Sequence, residues 1–449
     1  MVKSEFTLKS VDLRVDQSLP QTVLADSSAA GAVKMYTGQN VTIIEPKDSC
    51  CPSCNILSTH HSEFAKKQQE EWNILHNGEK RIKSEKRFQI TSEITKKFRE
   101  ARQDFLDNIV GKIFGSDSST QTKQSNPNII VKDGHNNRFN FDDTVVITER
   151  TKDKHVEEAA STALGHIENV LNFYLRVHNH NSVTGHGEDV KAVIHYDKNL
   201  DNAFWDGLRM VFGDGDGKIW DAFWKFLDVV GHEITHGVTG ARLVYNGDAG
   251  ALNEHISDVF GLLIKHYTST MTVDEAVGKH GWQMSYGLLR DAQGKEYALR
   301  DFENVGTAYP EDPQKPNYQD RYKGSQDNGG VHINSGVANH AFYLFAMSKP
   351  LGERALEATK VGIYNDQWDF ETKKGGYYSY SVPGTLWFNT LMSGKVKKDS
   401  TMPEFAKALH DMAGIMYPGD KQEVQEKLNK AWLAVGIDAS RGIEARGQI

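Results

Sequence analysis

The stretch Val229-Val230-Gly231-His232-Glu233-Ile234-Thr235-His236 lies in an apolar run that ends at Gly240. Histidines four positions apart on a helix project from one face. His232 and His236 can therefore hold one Zn²⁺ through two imidazoles, with Glu233 beside them as a base for metal-bound water. A pattern this short also arises by chance on surface helices. Its reading depends on whether the rest of the chain supplies a third ligand and leaves a fourth position open.

A second segment answers the first part of that question. In Gly250-Ala251-Leu252-Asn253-Glu254-His255-Ile256-Ser257-Asp258, apolar residues recur at helical spacing through Ile264 and Tyr267. Glu254 and Asp258 share a face of this predicted helix, so Glu254 can be the third ligand. Asn253 and Asp258 are placed to bind the outer nitrogens of the two histidines and so fix their tautomers. A third segment, Asp327-Asn328-Gly329-Gly330-Val331-His332-Ile333-Asn334-Ser335, has a Gly-Gly pair suited to a tight turn. A helix capped by Asn334 or Ser335 is expected to follow, with His332 just before it and Asp327 near enough to orient the ring.

These three segments, in this order, resemble the thermolysin-type zinc endopeptidases, whose metal is held by two histidines and a glutamate. Further segments carry the same resemblance. Asn202-Ala203-Phe204-Trp205 is similar to the family's substrate-pairing edge strand, Tyr245 precedes the third ligand at the family's spacing, and Arg300 matches an arginine that binds a primed-side carbonyl. The resemblance spans roughly residues 130 to 436. It implies an α+β fold of two lobes, β-rich and then helical, with the zinc helix at the floor of the cleft between them. The expected division is 1–125 as an N-terminal extension, 126–240 as the β-rich lobe ending in the zinc helix, and 241–449 as the helical lobe.

The resemblance also implies a mechanism. Glu233 is the general base, His332 and Tyr245 donate to the oxyanion, and Asp327 orients His332. Asn202 and Ala203 hold the substrate as an added strand. Trp220, Phe223, Val229 and Leu299 match the apolar primed-side pocket, so cleavage is expected before bulky hydrophobic residues, with Phe disfavoured by the large Trp220 and Phe223. Two rivals remain, a zinc aminopeptidase and a zinc-binding module without activity.

Lys265 departs from the family members that carry a double calcium site, where an acid stands at this position. An ammonium there can take the place of a cation beside Asp228, so the calcium site reads as lost, and the lysine points to the protealysin-like branch. Gly213-Asp214-Gly215-Asp216-Gly217 lacks the ligand spacing of an EF-hand and reads as a turn.

The chain has 449 residues, 38% of them hydrophobic, and this is enough for a large core. A net charge of −8 gives no footprint for nucleic acid, and no apolar run is long enough to span a membrane. Protein or peptide substrates and a monomeric state are expected. The first residues lack the apolar run of a secretory signal, which leaves export without one, or an intracellular location. Cys50, Cys51 and Cys54 are too clustered and odd in number for a disulfide framework. They read as reduced thiols or, with His60 and His61, as a small zinc site. The charged stretch 60–104 reads as helical, either a solvated face or part of a prosegment resembling that of the protealysin-like enzymes. The Ser/Thr/Gln/Asn-rich stretch 115–128 is the linker and processing-site candidate.

Overall fold

The computed structural model describes residues 33–37, 40–44, 127–137, 146–147, 158–350 and 378–445. The cysteine cluster, the charged stretch 60–104 and the linker up to residue 126 lie outside the described residues. The chain divides into two compact units, 1–81 and 82–449. In the first, β1 (Val33–Thr37) and β2 (Asn40–Ile44) form an antiparallel hairpin.

The second unit opens with a five-stranded sheet. Strands β3 (Ile129–Asn137), β4 (Val146–Ile147), β5 (Val190–Tyr196), β6 (Ala203–Trp205) and β7 (Met210–Phe212) stand in the order β4-β3-β5-β7-β6. Pairings of β3 with β5 and of β5 with β7 are parallel, and β6 closes one edge antiparallel to β7. The parallel β3–β5 pair needs a crossover, which holds α1 (Glu158–His178). In α1, Ala163, Ile167, Val170, Leu171 and Tyr174 recur at helical spacing and all are buried.

From residue 227 the chain is mainly helical: α2 (Leu227–Thr239), α3 (Gly247–Ser269), α4 (Asp327–Met347), α5 (Val382–Met392), α6 (Met402–Met416) and α7 (Lys421–Ala434). This is the two-lobed α+β architecture expected from the sequence. Helix α2 ends where anticipated, at Gly240 with φ +55. A capping box of Thr401 and Glu404, with Pro403 in the first turn, starts α6. The central helix α3 is buried on every side from Ala249 to Ile264, so its polar residues face protein and not water.

One helix start departs from expectation. His332 lies inside the first regular turn of α4 and not before it. Asn328, Gly329 and Gly330 take left-handed backbone angles, and Asp327 Oδ2 accepts from the His332 backbone N–H at 2.8 Å. Asp327 therefore does the capping expected of Asn334 or Ser335. The Asn334 side chain instead bonds both backbone groups of Tyr322, and Ser335 Oγ donates to the His332 carbonyl.

Candidate active site

The site forms where α2 crosses α3, and two glycines allow the crossing to be close. A Cβ on Gly261 would lie 2.4 Å from the Asp228 carbonyl oxygen, and one on Gly231 would lie 3.1 Å from Gly261 Cα. Gly237 plays the same part on the sheet side, where a Cβ would meet the Trp205 ring of β6 at 3.1 Å. The zinc-motif helix is thus wedged between the edge strand of the sheet and the core helix of the second lobe.

His232 and His236 present their Nε2 atoms to each other at 3.0 Å. Glu254 lies 3.5 Å from the first through Oε2 and 3.4 Å from the second through Oε1. All three residues are buried, and they are the metal-capable cluster among the described residues. The spacing fits zinc. Nitrogen and oxygen ligands at tetrahedral zinc sit about 2.0–2.1 Å from the ion, which puts neighbouring ligand atoms about 3.3 Å apart.

Close polar contacts on the far side of each ring support the same fit. Asp258 Oδ1 lies 2.9 Å from His232 Nδ1. Asn253 Oδ1 lies 2.8 Å from His236 Nδ1, and the Asn253 amide nitrogen donates to the Leu243 carbonyl, which fixes the oxygen toward the histidine. Both outer partners are acceptors, so each ring carries its hydrogen on Nδ1. Two bare Nε2 lone pairs then face each other, an arrangement that calls for a cation between them. The carboxylates show the same demand for positive charge: burial works to lower the His232 imidazole, but Asp258 and Glu254 outweigh it and raise it, a preference that a cation bound at Nε2 would satisfy.

On the open side, Tyr245 and His332 converge on Glu254. Tyr245 donates its hydroxyl to Glu254 and lies 3.2 Å from His332 Nε2, which is 3.5 Å from Glu254 Oε2. Asp327 Oδ1 is 2.6 Å from His332 Nδ1. Burial would raise the Asp327 carboxyl, but the neighbouring His332 holds it below the usual carboxylate range. Glu233 is buried on α2 between the two histidines.

The remaining site residues from the sequence have the following surroundings. Ala203 begins β6 at the sheet edge, and the Asn202 carbonyl accepts from Gly213 at 2.9 Å. Arg300 is buried with Nε 3.7 Å from Asp258, and its guanidinium also donates to the Leu299 carbonyl. Trp220 and Phe223 stack with ring centroids 5.8 Å apart. Val229 is buried two turns before His236, and Leu299 packs at the margin of the same apolar cluster. Lys265 donates to the carbonyls of His280 and Gln283 at 3.0 and 2.9 Å and lies 3.8 Å from Asp228. Asp228 accepts from Ser285 through both backbone and hydroxyl. In the Gly-Asp-Gly-Asp-Gly run, Asp216 accepts from three successive backbone N–H groups, at residues 218 to 220, as a turn residue does.

Four buried neighbours were not picked out from the sequence. Ser257 Oγ is a second partner of His236 Nδ1, at 3.0 Å. Its spacing from Asn253, i to i+4, was a usable signal. Gln314 donates to the His332 carbonyl at 2.8 Å and to Ser335 Oγ at 3.1 Å. His255 and Asn339 stand behind Asp258. No local pattern points to Gln314 or Asn339, because their partners are distant in sequence.

A buried His₂Glu set at the junction of a β-rich and a helical lobe defines a zinc metallopeptidase. The sequence matches the family model for the thermolysin metallopeptidase catalytic domain over residues 76–240 and that for its alpha-helical domain over residues 241–437. The chain belongs to the thermolysin family and is a zinc metalloendopeptidase. It is 36% identical over 290 residues to "Protease PrtS" of Photorhabdus sp. (strain Az29), covering 62% of this chain and 68% of that one. It is 32% identical over 287 residues to "Extracellular metalloprotease" of Pectobacterium carotovorum subsp. carotovorum, covering 62% and 73%. Among solved structures, the precursor of protealysin from Serratia proteamaculans matches with a TM-score of 0.58 and 32% identity, over 71% of this chain and 91% of that one. No described helix is long and apolar enough to cross a membrane.

Proposed function

We propose that this endopeptidase cuts internal peptide bonds before bulky aliphatic residues, with Glu233 as general base and Tyr245 and His332 as oxyanion donors. The observation that carries this reading is the convergence of the Tyr245 hydroxyl and His332 Nε2, 3.2 Å apart, on Glu254 beside the two histidines. His232, His236 and Glu254 would hold zinc, which when bound would supply a water of lowered pKa and a Lewis acid for the scissile carbonyl. Glu233 takes a proton from the attacking water and delivers it to the leaving amine. Tyr245 and His332 donate to the carbonyl oxygen as it gains negative charge, and Asp327 keeps the His332 ring in place. Asn253 and Asp258 hold the outer nitrogens of the metal ligands.

The substrate runs as an added strand along the outer edge of β6, held by Asn202 and the Ala203 backbone, with Arg300 on a primed-side carbonyl. Trp220, Phe223, Val229 and Leu299 line the pocket for the residue after the cut. The stacked Trp220 and Phe223 narrow it, so Leu and Ile are preferred to Phe. An N-terminally acetylated peptide library tests both parts. Cleavage before Leu and Ile supports the reading. Hydrolysis restricted to free N-termini would make the protein an aminopeptidase, and cleavage after charged residues would overturn the pocket.

Residues 1–125 are proposed as an inhibitory extension removed by self-cleavage, 126–240 as the β-rich lobe and 241–449 as the helical lobe. The match to a precursor structure supports that reading. The Lys265 ammonium, bonded to two carbonyls beside Asp228, supports loss of the double calcium site. The extracellular relative supports export, and the enzyme is proposed to act as a monomer.

A further inference from the structure

The orientation of the first zinc histidine is set from the far side of the helical lobe. An indole has one donor and no acceptor. Trp387 Nε1 lies 2.8 Å from His255 Nε2, so that nitrogen accepts and the His255 hydrogen sits on Nδ1. His255 Nδ1 then donates to Asn339 Oδ1 at 2.8 Å, which turns the amide nitrogen outward. Asn339 Nδ2 donates to Asp258 Oδ2 at 2.9 Å. Asp258 Oδ1, the other oxygen, faces His232 Nδ1. The chain runs through α5, α3, α4, back to α3, and ends on α2. Trp387, His255, Asn339 and Asp258 are each at most 1% exposed, so no water substitutes for a lost link. Every hydrogen along it points the same way because the indole end permits no other choice.

We infer that His255 and Asn339 are positioning residues of the zinc site, and that Trp387 sets their polarity. The inference rests on His232 being a zinc ligand, as proposed above. Without the indole donor, His255 could move its hydrogen to Nε2, and the Asn339 amide could rotate to keep a bond with Nδ1. An amide oxygen would then face the Asp258 carboxylate, two acceptors in contact, and Asp258 would no longer be held in line with His232. Arg300 Nε, 3.7 Å from the same Asp258 oxygen, is too far for a hydrogen bond to replace the one lost.

The test compares wild type with Trp387→Phe and Asn339→Leu in the full chain. Zinc dissociation constants come from chelator competition, and the visible absorption of the Co²⁺-loaded protein reports ligand geometry. Phe342→Leu is the control, because Phe342 packs edge-on against the Trp387 ring at 5.1 Å and takes no part in the hydrogen bonds. His232→Ala checks the ligand assignment. Both test variants are expected to weaken zinc binding roughly 10- to 100-fold and to shift the cobalt bands, while Phe342→Leu lowers thermal stability and leaves both unchanged. If the test variants bind zinc within twofold of wild type with unshifted cobalt bands, while His232→Ala loses the metal, the inference is overturned and the ligand set stands. If His232→Ala keeps wild-type affinity, the ligand set itself fails. If Phe342→Leu changes affinity as much as Trp387→Phe, the effect is packing and not polarity, which also overturns the inference.

Discussion

Glu233 and His332 carry different burdens, and substitution should separate them. Glu233→Gln keeps the size of the side chain and leaves His232, His236 and Glu254 in place, so zinc content should remain at one per chain while peptide hydrolysis falls by at least about 10²-fold. Metal analysis and initial rates on the same preparation check this. His332→Ala removes one of the two proposed oxyanion donors and should lower kcat by roughly 10²–10³ with little change in KM. An effect confined to KM would assign His332 to ground-state binding instead. At this scale much was legible. Two histidines at i and i+4 and a glutamate on a second helix carry their chemistry in their spacing, and the acceptors Asn253 and Asp258 follow from the glutamate's own helix. His255 was written in the same stretch, yet nothing local shows that it faces Asn339, which lies 84 positions away.

The crossing of α2 on α3 is the element that makes three ligands into a site. Gly261→Ala would place a methyl 2.4 Å from the Asp228 carbonyl oxygen, with backbone on both sides and nothing flexible to yield. It should destabilise the protein by about 1–3 kcal/mol and weaken zinc binding by moving Glu254 away from the histidines. Urea unfolding and chelator competition read the two effects, and unaltered zinc affinity would show that the crossing can reopen without cost to the site. Helix periodicity made α2 and α3 legible, and Gly240 fixed one boundary. The start of α4 was misplaced because left-handed Asn328, Gly329 and Gly330 let Asp327 cap from five residues back. Turn residues signal a break in the sequence but do not say which side chain closes it.

At the scale of the molecule, the helical lobe and the helix that crosses the sheet bury histidines that must stay neutral. His178 is held down to about 3 and His266 to about 4, both by burial. His266 keeps bonds to Ser379 Oγ and the Gly281 carbonyl, while His178 stacks on Phe388. In the unfolded chain both titrate near 6.5. The unfolded state therefore binds more protons between that value and the folded ones, and stability present above pH 6.5 is lost as pH falls toward 4. The slope approaches about 3 kcal/mol per pH unit for the two together. Denaturant midpoints between pH 7 and 4.5 check it, and a flat profile would mean that these rings accept protons in the folded state. On the proposal that Lys265 takes the place of a calcium ion beside Asp228, millimolar calcium should leave the unfolding temperature unchanged, and a rise of several degrees would restore a calcium site. The lobes were legible through the family resemblance, which implied a β-rich half followed by a helical one. The aromatic packing that holds them, such as Phe345 stacked on Trp387, joins residues too distant in sequence to be read from pattern.

The most direct measurement follows a quenched internal peptide with wild type and Glu233→Gln, both zinc-loaded and incubated until intact mass is constant. Wild type should cleave before Leu or Ile, and the variant should carry the same zinc but turn over at least about 10²-fold more slowly. Equal rates at equal zinc content, or a zinc-loaded wild type of constant mass that cleaves nothing, would contradict the account.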